Sequence, residues 1–472
     1  MRNCLGDNPF RLFWAAQTVS QFGDRVSELA LPLLAVTLLH ASAGQIGLLT
    51  AAIWVPYLGS FLIGSWVDRF GRQRRVLVGA DLARATLLLS LPIAWGFGVL
   101  TLPQVFVVAL LNGLGAVYFT TAAPAVFVTL VPREAYLSAN SRLSTTRSAS
   151  FIAGPALGGA LVQALTAPIA VLADALSFLV SATLIARLRP TAARERFSSP
   201  IIVDEESDNP TAGRRALEGL RFLAGHPYLR LSLAGTATLN FFSLIGSTLL
   251  VLFANRTLGL SAGLIGLALG VGAAGGLLGA LIAPRLGRRF GIGPVLIAGA
   301  AVYPAGFAVA AVAGGPPTVT AAVLALSEFV GGLGVMLFDI NANAVQTTLV
   351  PDRMRSRVTG AFSTVNYGVR PLGALVGGGL GATIGLRPTL LVAAVGGAAS
   401  VLWFWFSPAR RVRTLADFDE VLPPPQPVAS ASVGASRAAR RAGYSPATAP
   451  TTTAVATPPA SATPGSTSGQ SR

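Results

Sequence analysis

Ionisable side chains are scarce in this chain, so each one inside an apolar run is a candidate for chemistry. Only 11% of 472 residues are charged, against about 25% in an ordinary soluble chain. Gln17, Gln21, Asp24 and Glu28 follow one another at i, i+4, i+7 and i+11, which places them on one face of a helix. A carboxylate on such a face can take up and release a proton. Glu328, Asp339, Asn343 and Gln346 form a second polar series in another apolar run, and Arg370 stands alone in a third. Asp339 is twelve residues from Pro351 and Arg370 thirteen from Arg357, so both lie about 18–20 Å along their helices, and equal depth predicts an Asp339–Arg370 pair. Asp81 and Arg84, one turn apart, read as partners of Asp68 in a loop-side ion-pair latch. Asp174 reads as a packing polar group or a functional one, with the packing role favoured.

Several chemistries are excluded. Cys4 is the sole cysteine and His40 and His226 are the only histidines, so an intramolecular disulfide, a Cys-based metal site and a His-rich metal centre are not expected. No cofactor is expected either. Gly259-Leu260-Ser261-Ala262-Gly263 fits the nucleophile-elbow pattern but lacks a strand–turn–helix context. Gly270-Val271-Gly272-Ala273-Ala274-Gly275 fits the dinucleotide pattern with no βαβ unit around it. Its overlapping small-residue spacings indicate close helix packing instead. No catalytic dyad is found, and the chain is not read as an enzyme.

The elements that must carry these residues are long and apolar. Hydrophobic residues make up 52% of the chain and the mean hydropathy is +0.63. Runs of roughly 20 apolar residues suffice to cross a bilayer core. Twelve such spans are read at 10–39, 44–66, 76–98, 103–128, 143–165, 168–187, 229–253, 262–283, 293–313, 317–342, 358–382 and 388–407. A charge at the centre of a span costs about 2.5–3.5 kcal/mol on insertion scales, so the charges above need partners or water. The net charge of +16 comes from arginines gathered in alternate loops. That is an orientation signal and not a nucleic-acid footprint, and it predicts a multi-pass protein of the cytoplasmic membrane with both termini cytosolic.

The domain reading follows: a first six-helix bundle over 1–187, a cytoplasmic linker over 188–228, a second bundle over 229–407 and a disordered tail over 408–472. The linker carries the acidic run 204–208, also expected to be disordered. It then carries an amphipathic segment from Ala212 to Leu223 expected to lie on the membrane surface.

An internal repeat relates the bundles. Residues 113–132 and 332–351 are identical at eleven of twenty positions, an offset of 219. The same offset carries the stripe of Gln17, Gln21, Asp24 and Glu28 onto Thr236, Asn240, Ser243 and Ser247. An even number of spans per half makes the repeats parallel, with a binding site between them near the midplane.

Gly64-Ser65-Trp66-Val67-Asp68-Arg69-Phe70-Gly71-Arg72-Gln73-Arg74-Arg75 closely resembles the signature loop of the major facilitator superfamily, with Gln73 in place of a basic residue. Asn8-Pro9-Phe10-Arg11, Glu218-Gly219-Leu220-Arg221-Phe222-Leu223 and Val350-Pro351-Asp352 resemble the branch containing enterobactin exporters and macrolide-efflux proteins. The resemblance implies an all-α polytopic fold and energy-coupled export of a hydrophobic or amphiphilic small molecule of drug, macrolide or siderophore type. Protons are the expected coupling ion, the lipid bilayer the expected environment, and a monomer the favoured state.

The resemblance also implies a cytoplasmic gating role for Gly64, Asp68, Arg69, Gly71 and Arg72, with Asp81 and Arg84 behind them. Asp24 and Glu28 lead the candidates for coupling, with Gln17, Gln21, Asn240, Ser243, Glu328, Asp339 and Arg370 lining the cavity. Gly154, Pro155, Gly158 and Gly159 look like the antiporter motif, although Ser150 replaces its leading glycine, and a packing seam is an equal reading. The arginine typical of the fourth span in drug/proton antiporters is missing near 109–111. An importer or uniporter of the same fold, or a membrane sensor, remains the alternative.

Overall fold

The computed structural model describes residues 8–188, 212–350, 354–414 and 417. The acidic run 204–208 and the C-terminal tail beyond residue 417 lie outside the described residues. The described chain is helical, with no strand. Its first half contains α1 (Asn8–Thr37), α2 (Ala43–Leu58), α3 (Ser60–Phe70), α4 (Gln73–Gly96), α5 (Leu102–Leu130), α6 (Tyr136–Leu165) and α7 (Ala167–Ala186). Helix α8 (Ala212–Gly225) leads into the second half. There follow α9 (Pro227–Leu252), α10 (Ala262–Phe290), α11 (Ile292–Ala311), α12 (Pro317–Leu349), α13 (Arg355–Thr383), α14 (Leu386–Ala398) and α15 (Ser400–Trp405).

Among the described residues, nine helical stretches are long and apolar enough to cross a membrane. Helices α1 and α13, of 30 and 29 residues, are equally long but carry the charges and polar groups singled out above. The remaining span is α2–α3. It was expected to be continuous but is broken between Leu58 and Ser60, where the Gly59 amide bonds back to the Pro56 and Tyr57 carbonyls. Proline in a helix lacks an amide donor and disturbs the preceding turn. With this pair counted once, and α14–α15 counted once, twelve spans result.

The halves repeat one packing scheme. In the first, α1 packs on α6 and α7, α4 on α5 and α7, and α2 on α5. In the second, α9 packs on α13 and α14, α11 on α12 and α14, and α10 on α12. The halves meet along α2 with α13 and along α6 with α10.

Each of these seams has a glycine-on-glycine crossing. A Cβ added at Gly47 would lie 2.8 Å from the Gly378 Cα, and one at Gly159 2.8 Å from the Gly266 Cα. The offset of 219 converts Gly47 to Gly266 and Gly159 to Gly378, so the two crossings are the same contact made twice. Both lie at the ends of their helices nearest the Arg-poor turns.

Helix α8 is anchored to the second half at its C-terminal end. Leu223, near its end, is fully buried with Tyr228, Leu229, Val345, Val350 and Val358, while Leu220 one turn earlier is exposed. Protein–protein burial removes this apolar area from water as effectively as lipid would.

Candidate functional site between the halves

Asp24 faces α4, where its carboxylate forms an ion pair with Arg84. The Asp24 side chain is 41% exposed and that of Arg84 only 4%. The Arg84 Nε donates to Asn112 Oδ1 on α5 at 3.0 Å, and the guanidinium lies 3.9 Å from the centroid of the Phe178 ring on α7. Gly115 makes room for its stem, since a Cβ there would come within 2.6 Å of Arg84 Cγ.

Two further carboxylates complete the cluster. Asp81, one turn before Arg84, is fully buried facing Ser181. Asp174 is fully buried, accepts from Ser177 Oγ at 3.1 Å, and lies against the Gly23 backbone. Three helices, α1, α4 and α7, thus bring three carboxylates and one guanidinium together, with Asn112 of α5 beside them.

Arg84 therefore pairs with Asp24, and its assignment to a loop-side latch is corrected. The reason is depth. Arg84 is eleven residues into α4, about 17 Å from its start, and its long side chain reaches inward to α1. Asp174 joins this cluster although the sequence favoured a mere packing role. The side chains of Asp68 and Arg69 lie outside the described residues.

The structure separates the two leading coupling candidates. Glu28 bonds to Arg25 at 2.5 Å and is 66% exposed, while Arg25 stacks over Phe151 of α6 at 5.0 Å. Gln17 and Gln21 bond to each other at 3.1 Å. Thus only Asp24, of the four residues on the stripe, joins the buried cluster.

The second half also corrects a pairing. Among the described residues Arg370 and Asp339 form no ion pair. The guanidinium instead lies 4.3 Å from the Trp54 ring of α2 and 5.0 Å from the Tyr367 ring, with Nη2 donating to Asn240 Oδ1 at 3.3 Å. Asn240 in turn donates to Asn366 Oδ1 at 3.1 Å. Equal depth is necessary for a pair but not sufficient, because helix rotation turns Arg370 toward the other half. Trp54, Tyr57 and Tyr367 form a continuous aromatic group, with centroids 5.2, 5.5 and 6.2 Å apart. Glu328 packs against Gly272 of α10, and Ser243 faces the Tyr303 side chain.

The loop and motif residues take definite places. Gly71 has φ +64°, the left-handed conformation that a tight turn between α3 and α4 requires. Gly64 makes ordinary contact with Thr121 of α5, 3.5 Å from a Cβ position. Arg74 donates to the Ile185 carbonyl at 3.1 Å and to that of Ala186, tying α4 to the end of α7. In α6, Gly154 packs on the Arg25 stem, Gly158 on Val26, and the Pro155 carbonyl on Gly266.

Asn112, Phe178, Trp54, Tyr57, Tyr367 and Asn366 were not anticipated. Asn112 carried a usable signal, being a lone amide in the apolar run Val105–Leu114. The aromatic residues carried none, since aromatic side chains are ordinary in a span.

Comparison with known proteins agrees with this fold. A family model described as the Major Facilitator Superfamily matches residues 13–374 and, a second time, 231–454. The multidrug efflux pump Tap of Mycolicibacterium fortuitum is 30% identical over 394 residues, covering 81% of this chain and 91% of that protein. An uncharacterized MFS-type transporter, YfiS of Bacillus subtilis, is 28% identical over 390 residues, covering 80% and 88%. Among solved structures, the nucleoside transporter NupG superposes with a TM-score of 0.66 at 17% identity, covering 84% of this chain and 98% of that one. A bacterial homologue of the human lysosomal transporter Spinster, inward-facing and unoccupied, gives 0.62 at 16%, covering 87% and 99%. Twelve spans in two parallel repeats, an interior charged cluster and these matches lead to one conclusion: the chain is a multi-pass membrane transporter that belongs to the Major Facilitator Superfamily.

Proposed function

We propose that this transporter is a proton-coupled exporter of hydrophobic or amphiphilic small molecules, working by alternating access. The observation that carries the reading is the half-exposed Asp24 carboxylate ion-paired to buried Arg84 beside Asp81 and Asp174. One guanidinium balances one carboxylate, so two negative charges remain to be neutralised in a place where charge is expensive. Protons are the simplest neutralising partners. Protonation of Asp24 breaks its ion pair and frees Arg84 toward Asp81 and Asp174, so the proton count changes how α1 sits on α4.

Export is supported by the multidrug efflux relatives. The arginine distribution supports a cytosolic position for both termini and for the Arg-rich ends. On that orientation both glycine crossings close the outer end, and the conformation described is inward-facing. The aromatic group of Trp54, Tyr57 and Tyr367 offers an apolar wall for substrate. The turn at Gly71, with Asp68 and Arg69 before it, is the natural hinge of the cytoplasmic gate, and Arg74 makes α4 and α7 move together.

Inverted membrane vesicles test this reading. Labelled lipophilic substrates should accumulate when an inside-acid proton gradient is imposed, and Asp24→Asn should abolish the gradient-driven part while the protein still reaches the membrane. Full proton-dependent accumulation by Asp24→Asn would remove the assignment.

A further inference from the structure

A second candidate site lies on the outside of the first half, away from the Asp24 cluster. Where α4 begins, a cavity of about 740 Å³ is lined by Arg72, Gln73, Arg74 and Arg75, with Val126 and Leu130 of α5 among its apolar walls. A groove of about 810 Å³ runs along the same face of α4 and shares Arg75, Gly79 and Leu82 with the cavity. Trp66 and Phe70 of α3 and Leu111 and Tyr118 of α5 line the groove. The two spaces therefore adjoin along Arg75, Gly79 and Leu82, one basic and one apolar.

The basic end is equipped for an anion. Among the described residues, neither lining contains a carboxylate. Arg74 is engaged by the α7 carbonyls, whereas Arg72 and Arg75 have no side-chain hydrogen bond or ion pair among the described residues. Helix α4 has no side-chain cap; the Arg75 amide bonds back to the Arg72 carbonyl, which leaves those of Gln73 and Arg74 to face an acceptor, and helix starts favour anions.

The apolar end has the right length. Its α4 lining runs from Arg75 to Leu87, about 18 Å of helix, close to one leaflet of a hydrocarbon core roughly 30 Å thick. Trp66, Phe70 and Leu82 are each nearly half exposed, as residues facing lipid are.

We infer that this joined site holds one anionic glycerophospholipid of the leaflet on the Arg-rich side. Its phosphate sits between Arg72, Arg75 and the first turn of α4, and an acyl chain lies in the groove between α3 and α4. Basic residues next to a span attract anionic headgroups electrostatically, and here the adjoining groove commits the ligand to a lipid instead of a free phosphate.

The test uses the purified full chain in detergent, titrated with dioleoylphosphatidylglycerol, dioleoylphosphatidylcholine, dioleoylglycerol or inorganic phosphate. Retained lipid is read by native mass spectrometry and stability by thermal unfolding. Phosphatidylglycerol should be retained at one per chain and raise the unfolding temperature, with the other three at least tenfold weaker.

Arg75→Gln should weaken retention about tenfold, and Arg72→Ala with Arg75→Ala should weaken it further. Gly79→Phe should abolish lipid retention by filling the groove; it is expected to fold, because a Cβ at Gly79 meets nothing within 4 Å. Gly96→Phe, equally unobstructed but outside both linings, should retain lipid normally. Equal retention of phosphatidylcholine would show an ordinary lipid annulus and overturn the site. Equal stabilisation by inorganic phosphate would reduce it to an anion site without a lipid. Unchanged retention in folded Gly79→Phe would exclude the groove, and if the double arginine variant fails to fold, Arg75→Gln and Gly79→Phe decide alone.

Discussion

The two halves share a backbone plan and differ in what they bury. The offset of 219 converts Asp24 to Ser243, Arg84 to Tyr303 and Gly115 to Gly334. In the first half Gly115 accommodates the stem of Arg84, which pairs with Asp24. In the second, Gly334 accommodates the backbone at Tyr303, whose side chain faces Ser243. An ion pair and a pair of hydroxyls thus occupy equivalent places.

Asp81 and Asp174 become Ala300 and Ala393 in the second half. Conversely, Arg370 replaces Phe151, and it reaches across to Trp54 of the other half. Symmetry governs the seams, where backbone meets backbone. The interior is asymmetric because side-chain chemistry there is free to specialise without altering helix packing. Three carboxylates gather around one guanidinium in the first half, whereas Glu328 and Asp339 of the second form no ion pair with Arg370 among the described residues.

The largest effect should come from Arg84→Ala. Removing one partner of a buried ion pair typically costs about 3–5 kcal/mol, and here three carboxylates lose their shared cation. Thermal unfolding in detergent should show that loss, and vesicle transport should be absent. Tyr303→Phe, its symmetry counterpart, should cost no more than about 1.5 kcal/mol, the scale of one net hydrogen bond. Equal damage from the two would break the contrast between the halves.

Next come the seams. Gly47→Leu and Gly159→Leu each insert a side chain where the partner backbone is 2.8 Å from a Cβ, and overpacking typically costs about 1–3 kcal/mol. Both should part the Arg-poor end. A cysteine placed at Gly44 in a Cys4→Ser background should then label faster in either variant, by similar factors. A large difference between the two would mean that the repeat does not extend to the energetics of closure.

Arg370→Ala should cost about 2 kcal/mol, the scale of a desolvated cation–π contact. Adding Asp339→Leu should give no rescue, because the two are not paired. A double variant markedly more stable than the single would restore the Asp339–Arg370 pair.

Smaller still should be the effect of Asp24→Asn on stability. The amide keeps a hydrogen bond to Arg84, so unfolding should shift by about 1 kcal/mol or less, with coupling lost. Ser243→Ala should leave both stability and coupling nearly unchanged.

Much of the architecture was legible in the sequence. Span length, arginine placement and the repeat predict twelve crossings in two parallel halves, because a bilayer imposes length and polarity on each segment separately. The breaks at Gly59 and Ala399 and the burial of Leu223 were not legible, since they depend on what packs against those segments. Site residues were found by the same local rule: a charge within an apolar run must have a reason. Asp24, Asp81, Arg84, Asp174, Asp339 and Arg370 were all marked in that way.

Partnership was decided only by the tertiary structure. Depth along a helix can be counted from sequence, but rotation about its axis and the neighbour it meets cannot. Arg84 could be counted about 17 Å into its helix, yet only the packing of α1, α4, α5 and α7 brings it to Asp24, Asn112 and Phe178. Arg370 shares its depth with Asp339, and only the seam between α2 and α13 turns it to Trp54 instead. The sequence alone determined which residues are costly to bury in a membrane, because that cost belongs to each side chain. Which groups meet that cost together is a property of helix packing, and folding decides it.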